Sequence, residues 1–89
     1  MLNESNVVIF INLNININAN ILGSLLKVCG KINKISVIAP KAANSHIGVV
    51  VFDSISMAYE AIEKFNDFTL QERKLSVQFV CKYINSLKL

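Results

Sequence analysis

The sequence predicts a single α+β domain of order β-α-β-β-α-β, a four-stranded antiparallel sheet with two helices on one face. Three observations predict it. Four strand-length apolar stretches occur, and Val7 to Ile11 and Ile47 to Phe52 among them are rich in β-branched residues. Two further stretches repeat apolar residues at helical spacing, and they fall in the first and third gaps between the strands. Finally, 89 residues supply one core, with no room for a second domain and no internal repeat.

Residues 1–6 read as a mostly polar lead-in, 7–80 as the domain and 81–89 as a C-terminal extension. Val7 to Ile11 is a continuous apolar run, which Asn12-Leu13 completes as strand one. Residues 14–18 alternate Asn and Ile. Alternation alone would extend the strand, but Asn favours turns and caps, and Asn18 is placed to cap a helix. Leu22, Leu25, Leu26 and Cys29 mark helix one, and Gly30 stops it. Ile32 to Ile38 is strand two, closed by Pro40. A loop with Lys41 leads to strand three, His46 to Asp53. Ala58, Ala61, Ile62 and Phe65 form the buried face of helix two. Residues 66–73 connect to strand four, Lys74 to Val80. In the extension, Cys81, Ile84 and Leu87 share one side of a candidate short helix, with Tyr83 beside them. So short a helix is marginal alone and forms by docking. The whole is a split βαβ, ferredoxin-like sandwich.

Composition narrows the function. No apolar run approaches the roughly 18 residues that span a bilayer, and no signal-peptide pattern opens the chain. The expectation is an intracellular protein, of nucleus or cytoplasm, without membrane contact. Hydrophobic content is 53%, enough for a core plus a sticky surface. A net charge of +3 permits a nucleic-acid partner without requiring one. The acidic residues Asp53, Glu60, Glu63, Asp67 and Glu72 cluster around helix two, expected on the side away from the open sheet face. Two cysteines are too few for a disulfide framework and lack metal-site spacing, so both read as reduced. One His, two unpaired Cys and three Gly give neither a catalytic set nor a phosphate loop. No enzyme activity, cofactor, metal or small-molecule substrate is expected.

The stretch Ser45-His46-Ile47-Gly48-Val49-Val50-Val51-Phe52 has the spacing of the RNA-reading signature basic, Gly, aromatic, Gly/Ala, aromatic, Val, any, aromatic. Gly48, Val50 and Phe52 fit it; Ser45, His46, Ile47 and Val49 depart from it. Four further segments agree in order. They are Val8-Ile9-Phe10-Ile11-Asn12-Leu13, the helix-one ending Leu25 to Gly30, the helix-two run Ala58 to Asn66, and Arg73-Lys74-Leu75-Ser76-Val77. Together they resemble the RNA recognition motif family over nearly the whole chain, with the flavour of poly(A)-binding-type proteins that carry several such motifs.

In the register set by Asn12-Leu13, Val8 and Phe10 point to the helices and Ile9 and Ile11 to the open face. In strand three, Gly48, Val50 and Phe52 point inward; Ile47, Val49 and Val51 point outward. A one-residue slip of strand one would instead expose Phe10. The resemblance implies stacking aromatics at Ile9, Ile47 and Val49, and none is aromatic. It also implies a phosphate-holding cation where Ser45 stands. The face left is aliphatic: Ile9, Ile11, Ile47, Val49 and Val51, with Ile38 beside them. The resemblance thus implies an RNA-metabolism domain, of the mRNA processing or export class, with weak direct RNA binding and a role in protein contact or self-association. The alternative is a single-stranded RNA binder using loops and basic edges, with Lys34, Lys41, Lys74 and Lys82 as candidate phosphate contacts. The cover for the face is either the tail or a partner: a sister motif, a second copy or a protein ligand. His46 reads as a solvent-exposed strand end, and Phe68 and Leu70 as closing the core.

Overall fold

A computed structural model describes residues 5–41 and 44–87, with side chains up to Ile84. The elements are β1 (Val7–Leu13), α1 (Ala19–Leu26) with a 3-10 turn (Lys27–Cys29), β2 (Ile32–Ile38), β3 (His46–Phe52), α2 (Ile55–Phe65), β4 (Thr69–Leu70), β5 (Arg73–Lys74), β6 (Ser76–Phe79) and α3 (Val80–Leu87). The main sheet has the order β2-β3-β1-β6, antiparallel throughout. This is the ferredoxin-like arrangement the sequence predicts, with a short C-terminal helix.

One face of this sheet carries the core. Val8, Phe10, Leu13, Val50, Phe52, Val77 and Phe79 meet Leu22, Leu26, Cys29, Ala58 and Ala61 of the helical layer. Phe10 is fully buried there, so strand one holds the expected register and no slip occurs. Gly48 faces the same way: a Cβ on it would lie 2.7 Å from Leu22 Cδ2 and 3.1 Å from Leu13 Cδ1.

The caps follow the sequence. Asn18 Oδ1 accepts from the Ile21 amide at 2.9 Å, and Ser54 Oγ accepts from the Met57 amide at 3.2 Å. Gly30 ends the first helical segment at φ 129°, and a Cβ there would lie 2.7 Å from the Met57 sulfur. The Asn/Ile stretch is a turn, not more strand. Asn14 Oδ1 accepts from the Asn16 amide, Ile17 enters the core and Ile15 stays exposed.

Two regions differ from expectation. Strict alternation would turn Leu13 away from the core that Phe10 faces. A bulge corrects this: three steps on β1, from Phe10 to Leu13, match two on β3, from Gly48 to His46. Asn12 absorbs the extra residue at φ 74°. Its Nδ2 donates to the Lys74 carbonyl at 3.0 Å, and its Oδ1 accepts from Arg73 at 2.8 Å. The second difference is strand four, which is shorter than Lys74 to Val80. Lys74 pairs with Thr69 in the β4–β5 hairpin instead, and Val80 already begins α3.

Candidate nucleic-acid interface

The open face is read off the register. Across its middle run Ser36, Val49, Ile9 and Gln78; Lys34, Val51 and Val7 lie in the row nearer the start of β1. Toward the other end, Ile38 faces Ile47 and Ile11 faces Ser76. The predicted face residues Ile9, Ile11, Ile47, Val49 and Val51 are therefore brought together on one surface.

Their exposure is uneven. Ile11, Ile47, Val49 and Val51 are half-buried, and Ile38 is 51% exposed. Ile9 is only 4% exposed, although it stands outside the core cluster on the opposite face. Val49 and Gln78 flank it in the sheet, and α3, which continues from β6, also lies close to β1. The expected helix stripe is buried only in part. Val80, Cys81 and Tyr83 are half-buried, whereas Ile84 is 50% exposed; the Leu87 side chain lies outside the described residues.

The candidate cations Lys34, Lys41, Lys74 and Lys82 are all exposed. Lys34 shares the open face with Val51. Lys74 is loosely paired with Asp67 at 4.0 Å, between two well-exposed side chains. Sequence reasoning missed Arg73. It is half-buried, donates to Asn12 Oδ1 at 2.8 Å and to the Asn44 carbonyl at 2.9 Å, and ties the β4–β5 hairpin to the β1 bulge and to the loop before β3. It also missed Ser36, Ser76 and Gln78, polar positions that appear only once the register is known.

His46 corrects an expectation. It is half-buried, and its Nδ1 is buried without a hydrogen-bond partner. Two residues before inward-facing Gly48, it leans to the helical side opposite Leu13 rather than into solvent. Leu70 does pack on the core, but Phe68 stays 45% exposed, edge-on to Phe65 at 5.7 Å. The acidic residues of helix two are solvent-exposed, and Tyr59 among them meets Phe79 edge-on at 5.1 Å. Burial, reinforced by the Glu60 carboxylate and opposed by Lys64, holds the Cys29 thiol above its ordinary 9.0, as an inert core group.

Among the described residues, no group of three or more His, Cys, Asp or Glu is placed to hold a metal. No described helix is long and apolar enough to cross a membrane.

The fold is shared with solved RNA-recognition domains. The third RRM domain of Hrb1 superposes with a TM-score of 0.75 at 23% identity, over 85% of this chain and 77% of that one. The third RRM of Pes4 gives 0.78 at 20% identity, over 84% and 90%. The Rna15 RRM, solved with bound GU RNA, gives 0.73 at 14% identity, over 84% and 82%. No curated protein matches the sequence. The family model for the RRM domain matches residues 1–87. With that match spanning nearly all of an 89-residue chain whose strands and helices follow the motif's order, the protein belongs to the RRM domain family.

Proposed function

We propose that this RRM serves an RNA-metabolism protein of the mRNA processing or export class, in nucleus or cytoplasm, and that its own sheet face binds single-stranded RNA weakly. Its main role is then protein contact or self-association through the uncovered part of that face, Ile11, Ile47, Val49 and Val51, while sister motifs of the same protein carry RNA. The observation that supports this most is Ile9. It occupies the first stacking position, is aliphatic, and is 4% exposed beside α3.

Stacking on an aromatic is worth roughly 1–3 kcal/mol per base. Without two or three of the aromatics at Ile9, Ile47 and Val49, about 2–9 kcal/mol of that term is missing. Each 1.4 kcal/mol is about tenfold in affinity. The test is an RNA titration of the 89-residue chain, followed by amide chemical shifts, with a ten-nucleotide U oligomer and a mixed-sequence oligomer. The expected dissociation constant is weaker than about 100 µM. A value near 1 µM, with shifts at Ile9, Ile47 and Val49, overturns the proposal.

A second reading is favoured by the exposure of Lys34, Lys41, Lys74 and Lys82. In it RNA is held by phosphate contacts at loops and edges. That mode strengthens steeply as salt is lowered, whereas an aliphatic protein contact does not.

A further inference from the structure

We propose that the outer edge of β2, with the groove between it and α1, is a docking site for an extended, acidic peptide segment of a partner protein. The site is separate from the open sheet face, so it stands or falls independently of the reading above.

Three observations meet there. β2 is a terminal strand of the sheet, so its outer row of backbone N–H and C=O groups lies outside the ladder. Edges are commonly blunted by charge, proline or a bulge. β2 has such protection only at its start, where Asn33 bulges and Lys34 is charged. Ile35 to Ile38 is regular, uncharged and free of proline, and pairs in step with β3 from Val50 to Ile47.

Beside this edge lies a groove of about 590 Å³, floored by Ile32 and Ile35 and walled by Ala19, Gly23, Ser24 and Lys27. The wall is low. A Cβ added at Gly23 would meet only Ile35 Cδ1, at an ordinary 3.9 Å. An added strand would place every second side chain under α1, against Ile35, where a valine-sized group fits.

The third observation is charge. Lys27 and Lys31 line the groove at the end where β2 begins, and neither enters an ion pair among the described residues. The nearest acid along the chain, Asp53, takes a 3.4 Å contact from Asn33 and gives its amide to the Lys31 carbonyl, leaving the ammonium unpaired. Two unneutralised cations select an acidic segment over a second copy of this chain, whose net charge is +3. Antiparallel addition, the more stable pairing, puts the peptide's C-terminal end beside these lysines.

The probe is an acetylated, amidated hexapeptide, Thr-Val-Thr-Val-Asp-Asp, titrated into the isotopically labelled 89-residue chain. Binding with a dissociation constant below about 1 mM, with amide shifts at Gly23 and Ile35 to Ile38, is expected. A peptide with lysines in place of the aspartates should bind at least about tenfold more weakly, as should the Lys27→Glu, Lys31→Glu double variant. Gly23→Leu fills the groove and should abolish the shifts while leaving the melting temperature within a few degrees, which separates a blocked groove from a lost fold. No shift at millimolar peptide overturns the proposal. So do equal binding of the lysine peptide, shifts confined to Ile11 and Ile47, or tighter binding of a U oligomer than of the acidic peptide at the same amides.

Discussion

Asn12 is where a sequence motif, a backbone irregularity and the β4–β5 hairpin converge, and its substitution separates their contributions. The residue sits at φ 74°, a left-handed conformation that costs an alanine roughly 1–2 kcal/mol and that Asn and Gly tolerate. Its side chain adds two hydrogen bonds, to the Lys74 carbonyl and from Arg73, each worth about 0.5–1.5 kcal/mol net. Asn12→Ala loses both terms, about 2–5 kcal/mol together. Asn12→Gly loses the hydrogen bonds but keeps the backbone at ease, so it should be more stable than the alanine variant by about 1 kcal/mol. For a domain of this size that gap corresponds to roughly 4–8 °C in melting temperature. Urea unfolding of the three proteins, read by circular dichroism, measures it. Arg73→Ala belongs in the same series. It shares the Asn12 contact, so the double variant should fall short of the sum of the singles. An alanine variant as stable as the glycine variant would sink the claim that the bulge, rather than the hydrogen bonds alone, holds Leu13 in the core.

Other substitutions test the rest of the molecule. Ile9→Ala should cost about 2–4 kcal/mol because Ile9 is 4% exposed, whereas half-buried Ile47→Ala should cost under about 1.5 kcal/mol; equal costs would mean that Ile9 is not buried in solution. The β4–β5 turn holds Gln71 and Glu72 at φ 47° and 68°, so Gln71→Asn with Glu72→Gly should stabilise the fold by about 0.5–1 kcal/mol in the same urea assay. The Cys29 thiol is held above 9.0, so the unfolded chain ionises first as pH rises. Any stability linked to this group is therefore present below pH 9 and declines above it, and a thiol reagent at pH 8 should modify Cys81 well before Cys29. Equal reaction rates would contradict the buried placement of Cys29.

Much of the fold is legible because local signals agree with one another. Asn18, Gly30 and Pro40 punctuate the chain where the structure ends its elements, and the 22-26-29 and 58-61-65 spacings become the buried helix faces. What escaped has a physical reason in each case. The β4–β5 hairpin uses a two-residue turn with both φ positive, for which Asn-Gly is the usual sign; Gln71-Glu72 carries no such sign. Helix α3 is eight residues long, and its docking stripe depends on the direction in which β6 delivers it. Burial of Ile9 and the unpartnered Nδ1 of His46 are products of tertiary packing, which strand periodicity does not report. Arg73 looked like part of a strand-four motif, while its guanidinium spans to Asn44, 29 residues away in sequence.

The loss of aromatics and the burial of Ile9 reinforce each other. A stacking residue must stay bare to meet a base, and an exposed aromatic is tolerable because its face is repeatedly occupied by ligand. Once the position holds Ile, nothing polar or planar remains for a base, and leaving the side chain in water forgoes roughly 1.5–3 kcal/mol of burial. That burial is recovered at Ile9, 4% exposed in the middle row of the sheet. It does not reach Ile38, which stays half exposed at the far end beside Ile47. The aliphatic surface is thus divided: its centre is closed by the chain itself, and the end bordered by Ile11, Ile38 and Ile47 stays open, rimmed by Arg73, Lys74 and Ser76. A greasy patch with a polar and cationic rim is what the proposed protein contact requires, since interface cores are apolar and their rims polar.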